Sequence, residues 1–180
     1  MTSCVAFLRA INVGGRRVTN DQLAAAVTGA CFGDVKTYQA AGNLILDSGD
    51  LAPADVEAHI ESALTQALGL TAEVFVRTPT QIAAILDRQP FDSDDVATAT
   101  AKPQIGFIQN PPSSQTIDAV LALATPRDHL AVIERELHWL PMDGIGRAAL
   151  NTAMLERLLN AYTVRSQTTV ARIHAKYLTV

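Results

Sequence analysis

The sequence predicts an α+β fold: a ferredoxin-like βαββαβ N-terminal half followed by a second αβ half in the order βαββαα, with two small antiparallel or mixed sheets. Three observations lead there. Short apolar runs alternate with segments of helical periodicity, and the alternation nearly repeats after residue 100. At 180 residues, 48% hydrophobic and 18% charged, the chain is long and apolar enough to bury a substantial core.

Cys4–Leu8 is a short apolar run that ends at Arg9 and enters the loop Asn12-Val-Gly-Gly15, which reads as a buried strand and a tight turn. Thr19 and Gln22 have capping-box spacing, and Leu23, Ala26 and Val27 give the helix that follows an apolar face before Gly29 and Gly33 close it. Val35–Gln39 and Leu44–Asp47 flank Ala40-Ala-Gly-Asn43, whose Gly and Asn tolerate the positive φ of a hairpin turn. From Pro53 to Leu68, the residues Val56, Ile60, Ala63, Leu64, Ala67 and Leu68 recur at helical spacing, with Pro53 suited to a first turn and Gly69 to a stop. Ala72–Arg77 then supplies the fourth strand of the first half.

A short helix over Thr80–Arg88 gives way to Gln89-Pro-Phe-Asp-Ser-Asp-Asp95 and a polar Ala/Thr stretch. Residues 91–100 therefore read as a linker between an αβ domain over 1–90 and a second over 101–180. The second half is expected to hold a strand at Gln104–Gln109, a helix at Thr116–Ala124, strands at Leu130–Glu134 and Leu137–Leu140, and helices at Arg147–Asn160 and Gln167–Leu178.

Lys and Arg total 14 against 18 Asp and Glu, for a net charge of -4, so the chain is no polycation built to coat nucleic acid. Its N-terminus has no charged leader ahead of a long apolar run, and its richest apolar stretches are broken too soon to span a bilayer. A cytoplasmic protein with reduced thiols and no membrane partner is expected, Cys4 and Cys31 being small core residues. His59, His129, His138 and His174 stand apart, with no partner at ligand spacing, so no metal and no cofactor are expected. Trp139 alternates with Leu137 and reads as core, and the acidic cluster Asp92, Asp94, Asp95 reads as solvated charge. There is no Gly-Lys-Ser/Thr phosphate loop and no Gly-x-Ser-x-Gly elbow, so no catalytic residue and no reaction is assigned.

Two loops share a layout. Arg9, Asn12, Gly14, Gly15 and Arg16 follow the first strand, and Gly144, Gly146 and Arg147 follow the second hairpin. Glycines let backbone come close to a ligand, and free N–H groups with guanidinium groups nearby favour an anion. With Asn43 and Arg165, these residues form the candidate ligand-binding set for an anionic, phosphate-bearing small molecule or nucleotide. Ordinary strand-to-helix turns with solvated arginines are the simpler account of the same residues. From Gly144 onward the basic residues Arg147, Arg157, Arg165, Arg172 and Lys176 face a single acid, Glu156, with Arg165, Arg172 and Lys176 placed on one face of the last helix. That asymmetry leaves room for an acidic partner or, as a less favoured reading, nucleic acid. A homodimer formed through an exposed sheet edge or the last helix, with no catalysis, is the alternative of a different class.

The run Phe7-Leu-Arg-Ala-Ile-Asn-Val-Gly-Gly15, the hairpin Thr37-Tyr-Gln-Ala-Ala-Gly-Asn43, Gln89-Pro-Phe91, the turn Asp143-Gly-Ile-Gly-Arg147, and Arg165 with Thr168 and Thr169 together resemble the bacterial domain-of-unknown-function family 1697. The resemblance implies a two-part αβ protein with a ferredoxin-like N-terminal half and carries no activity with it. The family usually has Gly where Ala10 stands, Ser where Ala41 stands, Ser-Lys in place of Ala148-Ala149, and Asn in place of Ser166. Loss of a hydroxyl and an ammonium beside Arg147 removes groups suited to an anion.

Overall fold

The structure, a computed structural model, describes residues 3–11, 17–29, 32–39 and 42–179. Among these residues the chain forms eight strands and seven α-helices, divided between two compact units: Met1–Ala83 with Ile173–Val180, and Ala84–Arg172.

In the first unit, β1 (Ser3–Arg9), α1 (Asn20–Thr28), β2 (Lys36–Thr37), β3 (Asn43–Asp47), α2 (Pro53–Leu68) and β4 (Glu73–Arg77) follow in the βαββαβ order expected. The sheet runs β2-β3-β1-β4 with every pair antiparallel, the ferredoxin-like arrangement. Period-2 alternation decides which side chains meet the helices. Cys4, Ala6 and Leu8 of β1, Leu44 and Leu46 of β3, and Val74 and Val76 of β4 pack with Leu23 and Val27 of α1 and Val56, Ile60 and Leu64 of α2. Cys4 is a core residue, as expected, and burial pushes its thiol up to about 11. The Thr19–Gln22 capping box forms, and Gly69 closes α2 at φ 60.

β4 lies at an edge of its sheet, where unpaired N–H groups would invite another strand. Two carboxylates one turn apart on α2 occupy them: Val76 N donates to Glu57 Oε1 at 2.8 Å and Val74 N to Glu61 Oε1 at 3.1 Å.

After α3 (Pro79–Asp87), the stretch expected to be a linker contains a short helix, α4 (Ser93–Thr98). Asp92 caps it, accepting from Asp94 N at 2.8 Å, and Asp94 and Asp95 suit the positive end of the helix dipole. The second unit continues with β5 (Gln104–Ile108), α5 (Ser114–Leu121), β6 (Asp128–Ile133), β7 (Glu136–Pro141), a 3-10 turn (Ile145–Arg147), α6 (Thr152–Leu159), β8 (Tyr162–Ser166) and α7 (Gln167–Ile173). A π-helical turn, His174–Leu178, ends the described chain in the first unit.

The second sheet runs β6-β7-β5-β8, again antiparallel throughout, so it repeats the topology of the first strand for strand. The expected order βαββαα lacked β8. Asn160 at φ 64 ends α6, and the aromatic and β-branched run Tyr162-Thr-Val-Arg-Ser166 pairs with β5 before α7 begins. Arg165 accordingly lies on a strand and not on the last helix with Arg172 and Lys176. One face of this sheet packs Leu137 and Trp139 with Val120 of α5 and Leu155 and Leu159 of α6.

Candidate functional site

Of the residues expected to hold an anion, Asn12, Gly14, Gly15 and Arg16 lie outside the described residues, as do Cys31 and Ala41. Arg9 is paired across the β1–β4 ladder with Glu73, directly opposite in register. Asn43 is buried, and its Nδ2 donates to the Tyr38 carbonyl at 2.8 Å while Tyr38 N donates to Asn43 O at 3.0 Å. Its side chain thus fixes the hairpin. Arg9 and Asn43 belong to the first unit, and Gly144, Gly146, Arg147 and Arg165 to the second.

The 144–149 turn is organised from within. Gly144 sits at φ 90, and its N–H donates to Pro141 O; Arg147 N donates to Gly144 O and Ala148 N to Ile145 O. Asp143 is paired with Arg127. The brace of this loop is Asp128, fully buried, whose carboxylate accepts from Trp139 Nε1 and Ala149 N, both at 2.9 Å. Most of the amides that an anion would need are therefore already committed, while Arg147 and Gly146 are exposed. Arg165 donates through Nη1 to Thr163 Oγ1 and the Val164 carbonyl, both at 2.8 Å, and burial pushes it down to about 10.

Sequence reasoning passed over the feature with the most chemistry. A cavity of about 280 Å³ lies within the second unit. Its walls come from the stretch between α3 and β5, namely Arg88, Gln89, Pro90, Phe91, Ser93, Val96 and Pro103, with Ile105 of β5, His138 of β7 and Gln167 of α7. Its volume is near the lower limit for small-molecule sites, and its mix of apolar walls with a few polar groups is typical of them. Gln89-Pro-Phe91, one of the segments that carry the family resemblance, forms part of the wall.

His138 is the residue that sets this cavity apart. It is 4% exposed, and its Nε2 is buried with no hydrogen-bond partner. A buried polar atom left unsatisfied costs on the order of 1–3 kcal/mol, so such atoms are rare and point to strain or function. Burial and, secondarily, the Arg88 charge push the imidazole down to about 4 against the opposing pull of Glu136. It is neutral at physiological pH. Register places His138, Ile105 and Arg165 in one row across β7, β5 and β8, so their side chains share the face opposite Leu137 and Trp139.

Arg88 is anchored by two carboxylates: Nη1 donates to Glu136 Oε2 at 2.7 Å and Nη2 to Glu134 Oε2 at 2.6 Å, with a further bond from Nη1 to Ile133 O at 3.2 Å. Burial works against its charge, and the bonds to Glu136 and Glu134 outweigh that cost, holding Arg88 above the ordinary guanidinium value. A signal for this cluster exists in the sequence only as a His two residues from a Glu on a strand, which puts both side chains on one face.

A second, larger cavity of about 630 Å³ in the first unit is lined by residues such as Asp34, Lys36, Gly49 and Leu51, all exposed, with Lys36 already facing Asp34 at 3.5 Å. It holds no orphaned buried group among the described residues. No group of three or more His, Cys, Asp or Glu able to hold a metal occurs among the described residues, and none of their helices is long and apolar enough to cross a membrane.

The family model described as "Protein of unknown function (DUF1697)" matches residues 1–138. The match stops before the 144–149 turn and the 163–169 segment. No curated protein matches the chain. Among solved structures, a conserved bacterial protein from Streptococcus pneumoniae superposes with a TM-score of 0.79 at 16% identity, covering 99% of each chain. At that identity the likeness shows the shared fold.

Proposed function

The chain belongs to the family described as "Protein of unknown function (DUF1697)", a membership that brings a fold and no activity, and on the geometry within that fold we propose that it binds a small molecule in the His138 cavity. One observation carries the reading: a buried imidazole nitrogen without a partner belongs to a side chain that walls a cavity of ligand size. A bound molecule would cover the wall that His138 shares with Phe91, Val96 and Ile105, and only the folded state offers that wall. Ligands that bind only the folded state raise the melting temperature by mass action.

The test is a thermal-shift screen of a small-molecule library on the wild-type chain and on Val96→Phe, which fills the cavity from α4. Hits that raise Tm in the wild type and not in the variant support the reading. A library whose hits all act equally on both proteins refutes it.

A second reading keeps the anion expected from the sequence, at the Gly144–Arg147 turn. It is favoured by the exposed Arg147 guanidinium beside the open backbone of Gly146, around which a built Cβ would meet nothing within 4 Å. Inorganic phosphate that perturbs the Gly146 amide resonance in the wild type and not in Arg147→Ala supports it. Identical spectra in both refute it.

A further inference from the structure

Edge strands are guarded unevenly in this molecule. On β4, Glu57 and Glu61 accept from the N–H groups of Val76 and Val74, and β2 spans two residues only. β6 is six residues long and lies at the edge of the second sheet. Met142 N donates to Arg127 O at 2.9 Å, and residues along a strand turn their peptide groups alternately to its two sides, so Arg127, His129, Ala131 and Ile133 turn theirs toward β7. Asp128, Leu130 and Val132 turn theirs outward. Those of Asp128 are closed by Thr125, which donates to Asp128 O at 3.0 Å and accepts from Asp128 N at 3.2 Å. At Leu130 and Val132 no hydrogen bond among the described residues takes up the outward N–H and C=O groups. Neither residue is a charged side chain or a proline, the usual guards of an edge.

The outward donors and acceptors of Leu130 and Val132 are complementary to themselves about one axis. With a two-fold at Ala131, Leu130 pairs with Val132 of the partner subunit and Val132 with Leu130 of the partner subunit, and every outward group of both residues is used. An axis at Leu130 would set Val132 against the closed Asp128, and one at Val132 would set Leu130 against Glu134, which sits at φ 55 in the β6–β7 turn. The side chains agree with the Ala131 register. Leu130 and Val132 are half-buried and pack against the cluster of Leu137 and Trp139, so two copies continue one apolar layer across the axis. Ala131 meets itself at a non-hydrogen-bonded position, where opposing side chains come closest, and a methyl group leaves the room this needs. Beyond the paired stretch, Arg127 is held by Asp143 and Arg135 by the Gln109 carbonyl. We propose that a second copy of this chain docks on β6, antiparallel and centred on Ala131, and joins the two four-stranded sheets into one continuous sheet.

The register makes the test specific. Opposed Cα atoms of a non-hydrogen-bonded pair lie about 4.5 Å apart, within reach of a disulfide, whereas diagonal neighbours stand about 7–8 Å apart and are not. Full-length Ala131→Cys treated with oxidised glutathione is expected to run as a dimer on a non-reducing gel, roughly tenfold or more above the wild type, whose Cys4 and Cys31 set the background. Leu130→Cys, whose copies face each other only on the diagonal, is expected to stay near that background. By light scattering the wild-type mass is expected to climb from one chain toward two between roughly 5 and 500 µM, as suits a small interface. Val132→Pro removes an outward donor without touching the ladder to β7 and should hold the mass at one chain; Leu130→Lys puts a charge on the same edge and serves if the proline variant fails to fold.

A mass of one chain throughout that range overturns the proposal. A dimer that survives both Val132→Pro and Leu130→Lys, or one in which Ala131→Cys cross-links no better than Leu130→Cys, places the contact elsewhere and overturns it as well.

Discussion

Acidification should cost this protein stability through His138, and the size of the loss follows from its burial. The imidazole is held at about 4 in the folded chain against an ordinary value of 6.5. Between those values the unfolded state binds a proton that the native state refuses, so stability is present above pH 6.5 and falls as pH drops toward 4. Each pKa unit corresponds to about 1.4 kcal/mol, giving about 3 kcal/mol over the full window and about 2 kcal/mol between pH 7 and pH 5. In a chain of 180 residues that lowers Tm by roughly 4–8 °C.

Other groups also titrate over this range, so the measurement is a double difference. Urea unfolding of the wild type and of His138→Leu at pH 7 and pH 5 isolates what the imidazole contributes. Leucine has similar volume and leaves no orphaned nitrogen, so the variant should match or exceed the wild type at pH 7 and gain about 2 kcal/mol on it at pH 5. Equal losses in both proteins, or a His138 ring that titrates near 6.5 in the folded chain, would refute the argument.

Three further predictions concern the frame of the first unit. Ala10 sits at φ 63, where a Cβ costs about 1–2 kcal/mol, so Ala10→Gly should stabilise by about 0.5–1 kcal/mol after the entropy of glycine is charged; a lower Tm contradicts this. Gly42 sits at φ 65, where a Cβ would come within 2.7 Å of Ile11 Cδ1 and 3.0 Å of Leu8 Cβ, so Gly42→Ala should cost about 2 kcal/mol or more in denaturant unfolding, and a neutral result counts against the turn geometry. Glu57→Ala strips the buried acceptor from Val76 N on the β4 edge, which should cost about 2 kcal/mol and speed exchange of that amide; unchanged protection of Val76 would contradict the edge-sealing role.

Much of the frame was legible because its signals are local. The capping box at Thr19 and Gln22, Pro53 opening α2 and Gly69 closing it, and the β2–β3 hairpin around Gly42 are each set by a few adjacent residues. β8 escaped because five residues between two helices give little periodicity, although the repeat itself, strand for strand, called for a strand after α6. Two departures from the family pattern also find a local explanation. Ser166 Oγ accepts from Thr169 N at 3.1 Å, the capping task that Asn performs equally well, and Ala149 contributes its backbone N–H to Asp128 whatever its side chain.

The candidate site was not legible for the opposite reason. Arg88, Val96, Ile105, His138 and Gln167 lie far apart in the chain, and a lone histidine on an alternating strand looks like any other core residue. Only the three-dimensional count of partners distinguishes a satisfied imidazole from an orphaned one. Where they are described, the arginine and glycine loops carry local structure: Arg9 pairs with Glu73, and the Gly144 turn is held by its own amides and by Asp128.

The most direct test of the central claim is a crystal structure of the chain soaked with a small molecule that raises its Tm. The ligand should lie in the cavity, against Phe91 and His138. An empty cavity in the presence of a saturating probe, or a probe seated away from His138, would contradict it.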